Sequence, residues 1–352
     1  MTVEVRPDLV ALEGYHSPQV TVDVRLNTNE SPYPPPAAWK DAFLEELAAV
    51  PFNRYPDRSA RDLRSAIAEL HGVGVEQVLV GKGSNEVLQA VCLAYGGAGR
   101  RAVVFEPTYA LHSHIARITG TEVVVGERRP DFLLDVDHVR RVLGETRPSI
   151  TFLCSPNNPT GRVEPPEVVD AVLSAAPGLV VVDEAYAQFA PWSALPWVGQ
   201  GRPLVVTRTY SKTWSMAGSR LGYLIGPAEV VSDLERVVLP YHVDAAAQVA
   251  GRLALRWRAE MEARVAALVA ERERVSAGLA LLPVDTWPSA ANFVLFRPRS
   301  MEGATVWKEL VERSVLVRDC SSWPHLAGCL RVTVGTTEEN DVFLSALAQV
   351  LA

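Results

Sequence analysis

The chain has 352 residues, enough to bury a substantial core and to divide into two domains. Its residues are 48% apolar and 21% charged, as in an ordered globular protein. The 34 basic and 41 acidic side chains leave a net charge of −7, so the basic surplus of a nucleic-acid binder, or of a protein that docks on an acidic membrane face, is missing.

The N-terminal stretch MTVEVRPDLVALEG carries acids early and lacks a long apolar segment. No later apolar run approaches the roughly 20 residues of a membrane span, so a cytoplasmic location is expected. The proline cluster NESPYPPP (29–36) can neither continue a helix nor supply ladder donors, and predicts an extended arm leading into the body. Beyond it, β-rich runs alternate with helix-like segments: QVLVG (77–81), RAVVFEP (101–107), EVVVG (122–126), SITFLCSP (149–156), LVVVDEAY (179–186), LVVTRTYS (204–211) and GYLIGP (222–227). Strands apolar on both faces, separated by helices, predict an α/β class with a three-layer, mainly parallel sheet.

After Pro240 the pattern changes. A long amphipathic helix is expected over 252–282, followed by strands at 292–298, 315–320 and 329–335 and a closing helix from about Glu338. The expected division is an N-terminal arm (1–28), a large domain (29–242) and a smaller α+β C-terminal domain (243–352), with the arm packing against the latter. Cys92, Cys154, Cys320 and Cys329 form no C-x-x-C pair and are expected to be reduced. No metal site is predicted, because His112 and His114 of HSH lack a partner at ligand spacing.

In a parallel α/β sheet the chemistry gathers beyond the carboxyl ends of the strands. Five such exits are polar here: GKGSNE (81–86), EPTY (106–109), CSPNNPTG (154–161), VVDEAY (181–186) and RTYSK (208–212). Singly, each reads most simply as a turn, a cap or a solvated lysine. Together they propose one chemistry. Lys212, desolvated or beside another cation, can condense with an aldehyde cofactor, which suggests pyridoxal phosphate. Such a cofactor is an electron sink only while its ring nitrogen is protonated, and Asp183, emerging from three valines, can supply the carboxylate that keeps it so. Gly83, Ser84 and Asn85 can open a helix toward the phosphate, with Thr209, Ser211 and Arg220 as side-chain donors. The small residues Ala217, Gly218 and Ser219 let the chain fold back so that Arg220 can meet that anion. Asn158 and Tyr186 are candidates for the ring hydroxyl, and Tyr109 for stacking on the ring. Neither GKGS nor GGAGRR has the spacing of a P-loop or dinucleotide fingerprint, and no G-x-S-x-G elbow occurs.

CSPNNPTG, VVDEAYAQF, RTYSKTWSMAGSRLGY and CLRVTVGTTEEN resemble the fold type I, pyridoxal-phosphate-dependent aminotransferases. With RLNTNESPYPPP and NRYPD they closely resemble the histidinol-phosphate branch. The resemblance implies that Lys212 holds the cofactor and later moves the proton of the substrate Cα, that Asp183 faces the pyridinium, that Asn158 and Tyr186 meet its 3′-oxygen, and that Tyr109 stacks. It assigns phosphate contacts to Ser84, Asn85, Thr209, Ser211 and Arg220. Tyr55 would reach the cofactor phosphate of the neighbouring subunit, implying a homodimer with shared sites. Arg331 would take the substrate's anionic group, while Arg318, Tyr15 and Asn29 would line the pocket. The implied partners are glutamate and 2-oxoglutarate on one side, L-histidinol phosphate and imidazole-acetol phosphate on the other.

Two departures stand out. Thr213-Trp214 replaces the small residue and Phe common after the lysine, with core packing the favoured role for Trp214, and Asn85 stands where relatives often have Asp. Three rival readings stay open. An aromatic amino acid transaminase would use nearly the same site, and a threonine-phosphate decarboxylase resembles the same branch. A regulator on this fold would carry an added DNA-binding domain, for which there is no room before Tyr15.

Overall fold

The computed structural model describes residues 3–10, 12, 14 and 19–352. In chain order, β1 (Val24–Leu26) precedes α1 (Ala37–Ala48) and α2 (Arg61–His71). There follow β2 (Val78–Gly81), α3 (Ser84–Tyr95), β3 (Arg101–Glu106), α4 (Leu111–Ile118), β4 (Glu122–Glu127), α5 (Val136–Thr146), β5 (Ile150–Cys154), α6 (Pro166–Ala175), β6 (Leu179–Asp183), β7 (Leu204–Thr209), β8 (Gly222–Ile225) and α7 (Ala228–Glu235). The C-terminal region adds α8 (Ala245–Ala254), α9 (Arg258–Ala280), β9 (Val284–Thr286), β10 (Phe293–Pro298), α10 (Gly303–Glu312), β11 (Val315–Asp319), β12 (Leu330–Thr333) and α11 (Thr337–Leu351).

Seven strands form one sheet in the order β2-β8-β7-β6-β5-β3-β4, parallel except for β8, which is antiparallel to both neighbours. Every residue of β5, β6 and β7 is buried, because alternate side chains enter two different cores. Val181 joins Leu88, Ile115 and Val231 of α3, α4 and α7 on one face, while Val180 and Val182 join Val139, Val169 and Val172 of α5 and α6 on the other. Period-two alternation thus distributes one apolar strand between two helical layers, each buried valine contributing about 1.5–3 kcal/mol.

The second sheet runs β1-β11-β12-β10-β9. The arm contributes β1 to it, paired in parallel with β11 through Val24↔Val315, Arg25↔Leu316 and Leu26↔Val317. The arm therefore packs against the C-terminal region, as expected.

The helix expected over 252–282 is interrupted. α8 stops at Ala254, a 3-10 turn spans Leu255–Trp257, and α9 restarts at Arg258. One straight stripe cannot serve both bodies. Ala247, Ala250 and Leu253 of α8 pack with Trp39 and Leu63 of α1 and α2. Along α9, Met261, Val265 and Leu268 join that same core, whereas Val275 and Leu279 belong to the core of the five-stranded sheet. Apolar packing consequently runs across residue 242, with α9 tying the two sheets together. Strand β9 gave no signal because three residues are too few for a period to register. Trp214, 5% exposed, sits beside Tyr210 in the core that α1, α2, α8 and the start of α9 share. Among the described residues no helix is long and apolar enough to cross a membrane.

Candidate active site

The seven-stranded sheet switches direction between β3 and β5, since the chain first goes outward to β4 and then returns to the other side of β3. A crevice beyond the carboxyl ends of the strands is expected at such a point. A cavity of about 390 Å³ opens there, lined from exits of both strands and from the arm.

Asp183, the last residue of β6, lies 2% exposed at the cavity floor. Its Oδ1 accepts from the Ala185 amide at 3.1 Å, and its Oδ2 is 2.9 Å from His112 Nε2. The carboxylate can only accept, so that nitrogen carries the proton. His112, fully buried on α4, stacks on Phe152 at 4.9 Å between ring centroids. In the sequence His112 stands out only as a metal-ligand candidate beside His114. Its signal was its place one turn after the strand exit bearing Tyr109. Among the described residues no His, Cys, Asp and Glu group could hold a metal ion.

Lys212 follows β7 by three residues, and its Nζ donates to the Thr28 carbonyl at 3.0 Å, an arm contact. Burial, reinforced by the positive charge of Arg331, pushes its pKa down to about 7, and Glu30 partly opposes this. An amine in that condition is substantially neutral near neutral pH, the state a nucleophile or base requires.

On one side of Lys212 the polar groups converge as an anion cradle. Ser84 and Asn85 open α3, whose N-cap Gly83 has φ +78°. A Cβ on Gly83 would lie 2.6 Å from Arg220 Nη2, and one on Gly222 only 2.2 Å from the Ser84 amide nitrogen. Both glycines are thus required for the approach of β8 and Arg220 to the helix terminus. Thr209 Oγ1 donates to Ser211 Oγ at 3.0 Å, and Arg220 Nη1 reaches Ser211 Oγ at 3.4 Å. The 3-10 turn Ala217–Ser219 delivers Arg220, itself left-handed at φ +49°, to this cluster. Tyr109 OH donates to Asn85 Oδ1 at 3.1 Å, which fixes its ring in the cavity wall.

On the other side stand the arginines. Arg331 of β12 donates to Asn158 Oδ1 and, at 2.8 Å, to the Asn27 carbonyl. Its guanidinium lies over Phe293, 5.1 Å from the ring centroid. Arg318 of β11 is its direct cross-strand partner. Tyr186 OH accepts from Asn29 Nδ2 at 2.9 Å, and burial holds the phenol well above its usual pKa, hence protonated. Asn29, at φ +54°, is pinned by Thr333 through its amide at 2.9 Å and its Oδ1 at 3.1 Å.

Of the residues singled out by sequence, Gly83 through the N-cap and Ser84, Asn85, Tyr109, Asn158, Asp183, Tyr186, Thr209, Ser211, Lys212, Arg220, Asn29, Arg318 and Arg331 as lining meet at this one cavity. Tyr55 does not line it. That ring is 81% exposed and stacks on Tyr241 at 4.5 Å. Tyr15 lies outside the described residues. Thr28, Glu30 and Trp323 also line the cavity and were not anticipated.

Residues 21–347 match the family model described as aminotransferase class I and II. The chain is 44% identical to the histidinol-phosphate aminotransferase of Frankia casuarinae, over 99% of this chain and 90% of that one. It is also 44% identical to the histidinol-phosphate aminotransferase of Streptomyces avermitilis, over 98% of this chain and 96% of that one. A solved structure of histidinol-phosphate aminotransferase from Sinorhizobium meliloti in complex with pyridoxal-5′-phosphate superposes with a TM-score of 0.90, covering 100% of this chain and 98% of that chain at 22% identity.

Proposed function

We propose, from the premise that the chain belongs to the class I and II aminotransferases and among them to the histidinol-phosphate aminotransferases, that it transfers an amino group between glutamate/2-oxoglutarate and L-histidinol phosphate/imidazole-acetol phosphate, with pyridoxal phosphate as cofactor. One observation carries this reading: a lysine with its pKa lowered to about 7 sits between a buried carboxylate, an anion cradle and a pair of arginines in a single cavity.

The residues present fit the cofactor. The helix terminus at Gly83–Asn85, with Thr209, Ser211 and Arg220, would hold the phosphate, and no Cβ at Gly83 or Gly222 pushes Arg220 or the Ser84 amide out of place. Asp183 would face the ring nitrogen and keep it protonated, with His112 orienting the carboxylate. Asn158 and Tyr186 would meet the ring hydroxyl, and Tyr109 would cover the ring. When bound, the cofactor supplies the electron sink that makes loss of the substrate's Cα proton feasible.

The chain's own groups then do the rest. Lys212 Nζ takes the proton from the substrate Cα and delivers it during amino transfer, its lowered pKa matching it to both tasks. Arg331, held by Asn158 and the Asn27 carbonyl, presents a preformed guanidinium to the carboxylate of glutamate or to the phosphate of the second substrate. Residues 27–30 cover the lysine, the Thr28 carbonyl accepting from its Nζ and Asn29 donating to Tyr186 beside it, and would limit water.

Amino exchange from glutamate, measured against acceptors with and without a phosphate, tests the assignment. Imidazole-acetol phosphate is expected to exceed phenylpyruvate in kcat/KM by at least about tenfold, the discrimination a paired anion site supplies. Equal or better turnover of phenylpyruvate would favour the aromatic transaminase, and carbon dioxide from threonine phosphate the lyase.

The same reading makes the active unit a homodimer. Support comes from Tyr55, exposed and away from its own chain's cavity, and from the neighbouring exposed Phe52, Leu239 and Tyr241. Tyr55 would reach the phosphate cradle of the second copy. Tyr55→Phe is expected to weaken cofactor retention, and mixing it with Lys212→Ala subunits to restore parent-like retention at roughly a quarter of the sites, the share random pairing gives. No recovery on mixing would dismiss the shared site.

A further inference from the structure

Arg318 and Arg331 face each other directly across the β11–β12 ladder, an arrangement of like charges that destabilises a sheet unless something compensates. Each guanidinium lies over an aromatic ring: Arg331 over Phe293 at 5.1 Å from the centroid, Arg318 over Trp323 at 5.8 Å. Phe293 is fully buried in the β10 strand, so one ring is a fixture of the sheet. The other comes from the β11–β12 connection, at the cavity wall.

That connection is locked by its own hydrogen bonds. The Trp323 amide donates to the Cys320 carbonyl at 3.0 Å, the Leu326 amide to the Trp323 carbonyl at 3.1 Å, the Cys329 amide to the Leu326 carbonyl at 2.9 Å, and the Cys320 amide to the Cys329 carbonyl at 3.0 Å. Below it, Trp323 packs against the small buried cluster that contains Phe132, Leu295 and Leu326. The indole therefore presents a fixed face, and stacking on it restricts a side chain that otherwise has many rotamers.

We infer that Trp323 is a positioning residue that holds Arg318 beside Arg331, converting a one-arginine site for a carboxylate into a two-arginine site for a phosphate dianion. The inference rests on the reaction proposed above. Of glutamate's two carboxylates, the one beside its amine-bearing carbon is a monoanion that the preformed Arg331 fork satisfies alone, whereas a phosphate dianion offers three oxygens and a second negative charge to the neighbouring guanidinium. Trp323 thereby acts on the choice between substrates more than on the chemistry they share.

The holoenzymes of Trp323→Leu and Trp323→Phe test it, with each half-reaction followed separately by the cofactor's absorbance. For Trp323→Leu, KM for L-histidinol phosphate is expected to rise about tenfold while that for glutamate moves less than about threefold, kcat for both staying near the parent value. Trp323→Phe keeps a ring and should recover most of the loss. Inorganic phosphate, as a competitive inhibitor against glutamate, should weaken about tenfold in the leucine variant alone. Equal losses for both substrates, or a leucine variant as selective as the parent, would overturn the inference, as would a phenylalanine variant no better than leucine. Should the parent itself reject L-histidinol phosphate, the proposed reaction falls, and the inorganic phosphate measurement still decides Trp323.

Discussion

Lys212→Ala is expected to retain pyridoxal phosphate through the phosphate cradle, to lose the visible band of the lysine-bound form, and to lose amino transfer by at least about 10⁴-fold, the combined share of covalent attachment and acid–base catalysis. The same residue sets a pH dependence in the parent protein. Burial and the charge of Arg331 disfavour the ammonium, lowering its pKa to about 7. Below that value the amine is protonated and cannot attack the aldehyde; above it, the neutral form predominates. Capture of added cofactor by the ligand-free protein should accelerate as pH rises through about 7, a profile that Lys212→Ala would not show. An unperturbed lysine, with its pKa near 10.4, would still be accelerating well above neutrality. Undiminished turnover by the alanine variant, or capture independent of pH, would remove Lys212 from its role.

The sheet and most of its site were legible because their signals are local. Val180-Val181-Val182 announces a strand buried on both faces, and the polar residue that follows such a strand in a parallel sheet has few places to be other than the crevice. Asp183, Lys212 and Asn158 were accessible by that logic alone. Non-local arrangements were not. The arm's β1 is three residues long, and its pairing with β11 spans almost the whole sequence. The break at Leu255–Trp257 results from two cores competing for one helical stripe, a matter of tertiary geometry that periodicity in a single window does not contain. His112 was visible as a residue but not as a partner, because its meaning depends on Asp183, 71 positions away. Trp323 escaped for the same reason: its effect is exerted through Arg318.

Asp183→Asn tests the electronic half of the site with little change of shape. The amide is isosteric: its oxygen can still accept from the Ala185 amide, and its nitrogen can donate to His112 Nε2 once the imidazole takes its other tautomer, so the fold is expected to survive. What disappears is the negative charge that would hold a proton on the ring nitrogen of the bound cofactor. In both half-reactions kcat is expected to fall by about 10²–10³-fold, the range over which a preorganised polar group at a reacting centre acts. The direction with pH distinguishes this from a packing defect. A carboxylate raises the proton affinity of the nitrogen it faces, so its loss lowers that affinity and shrinks the protonated fraction at neutral pH. The variant's residual activity should therefore increase as pH is lowered toward the reduced pKa, relative to a parent in which the ring stays protonated throughout. A variant within about tenfold of the parent, or one whose activity ratio to the parent does not vary with pH, would show that the buried acid at the end of β6 serves the fold and not the reaction.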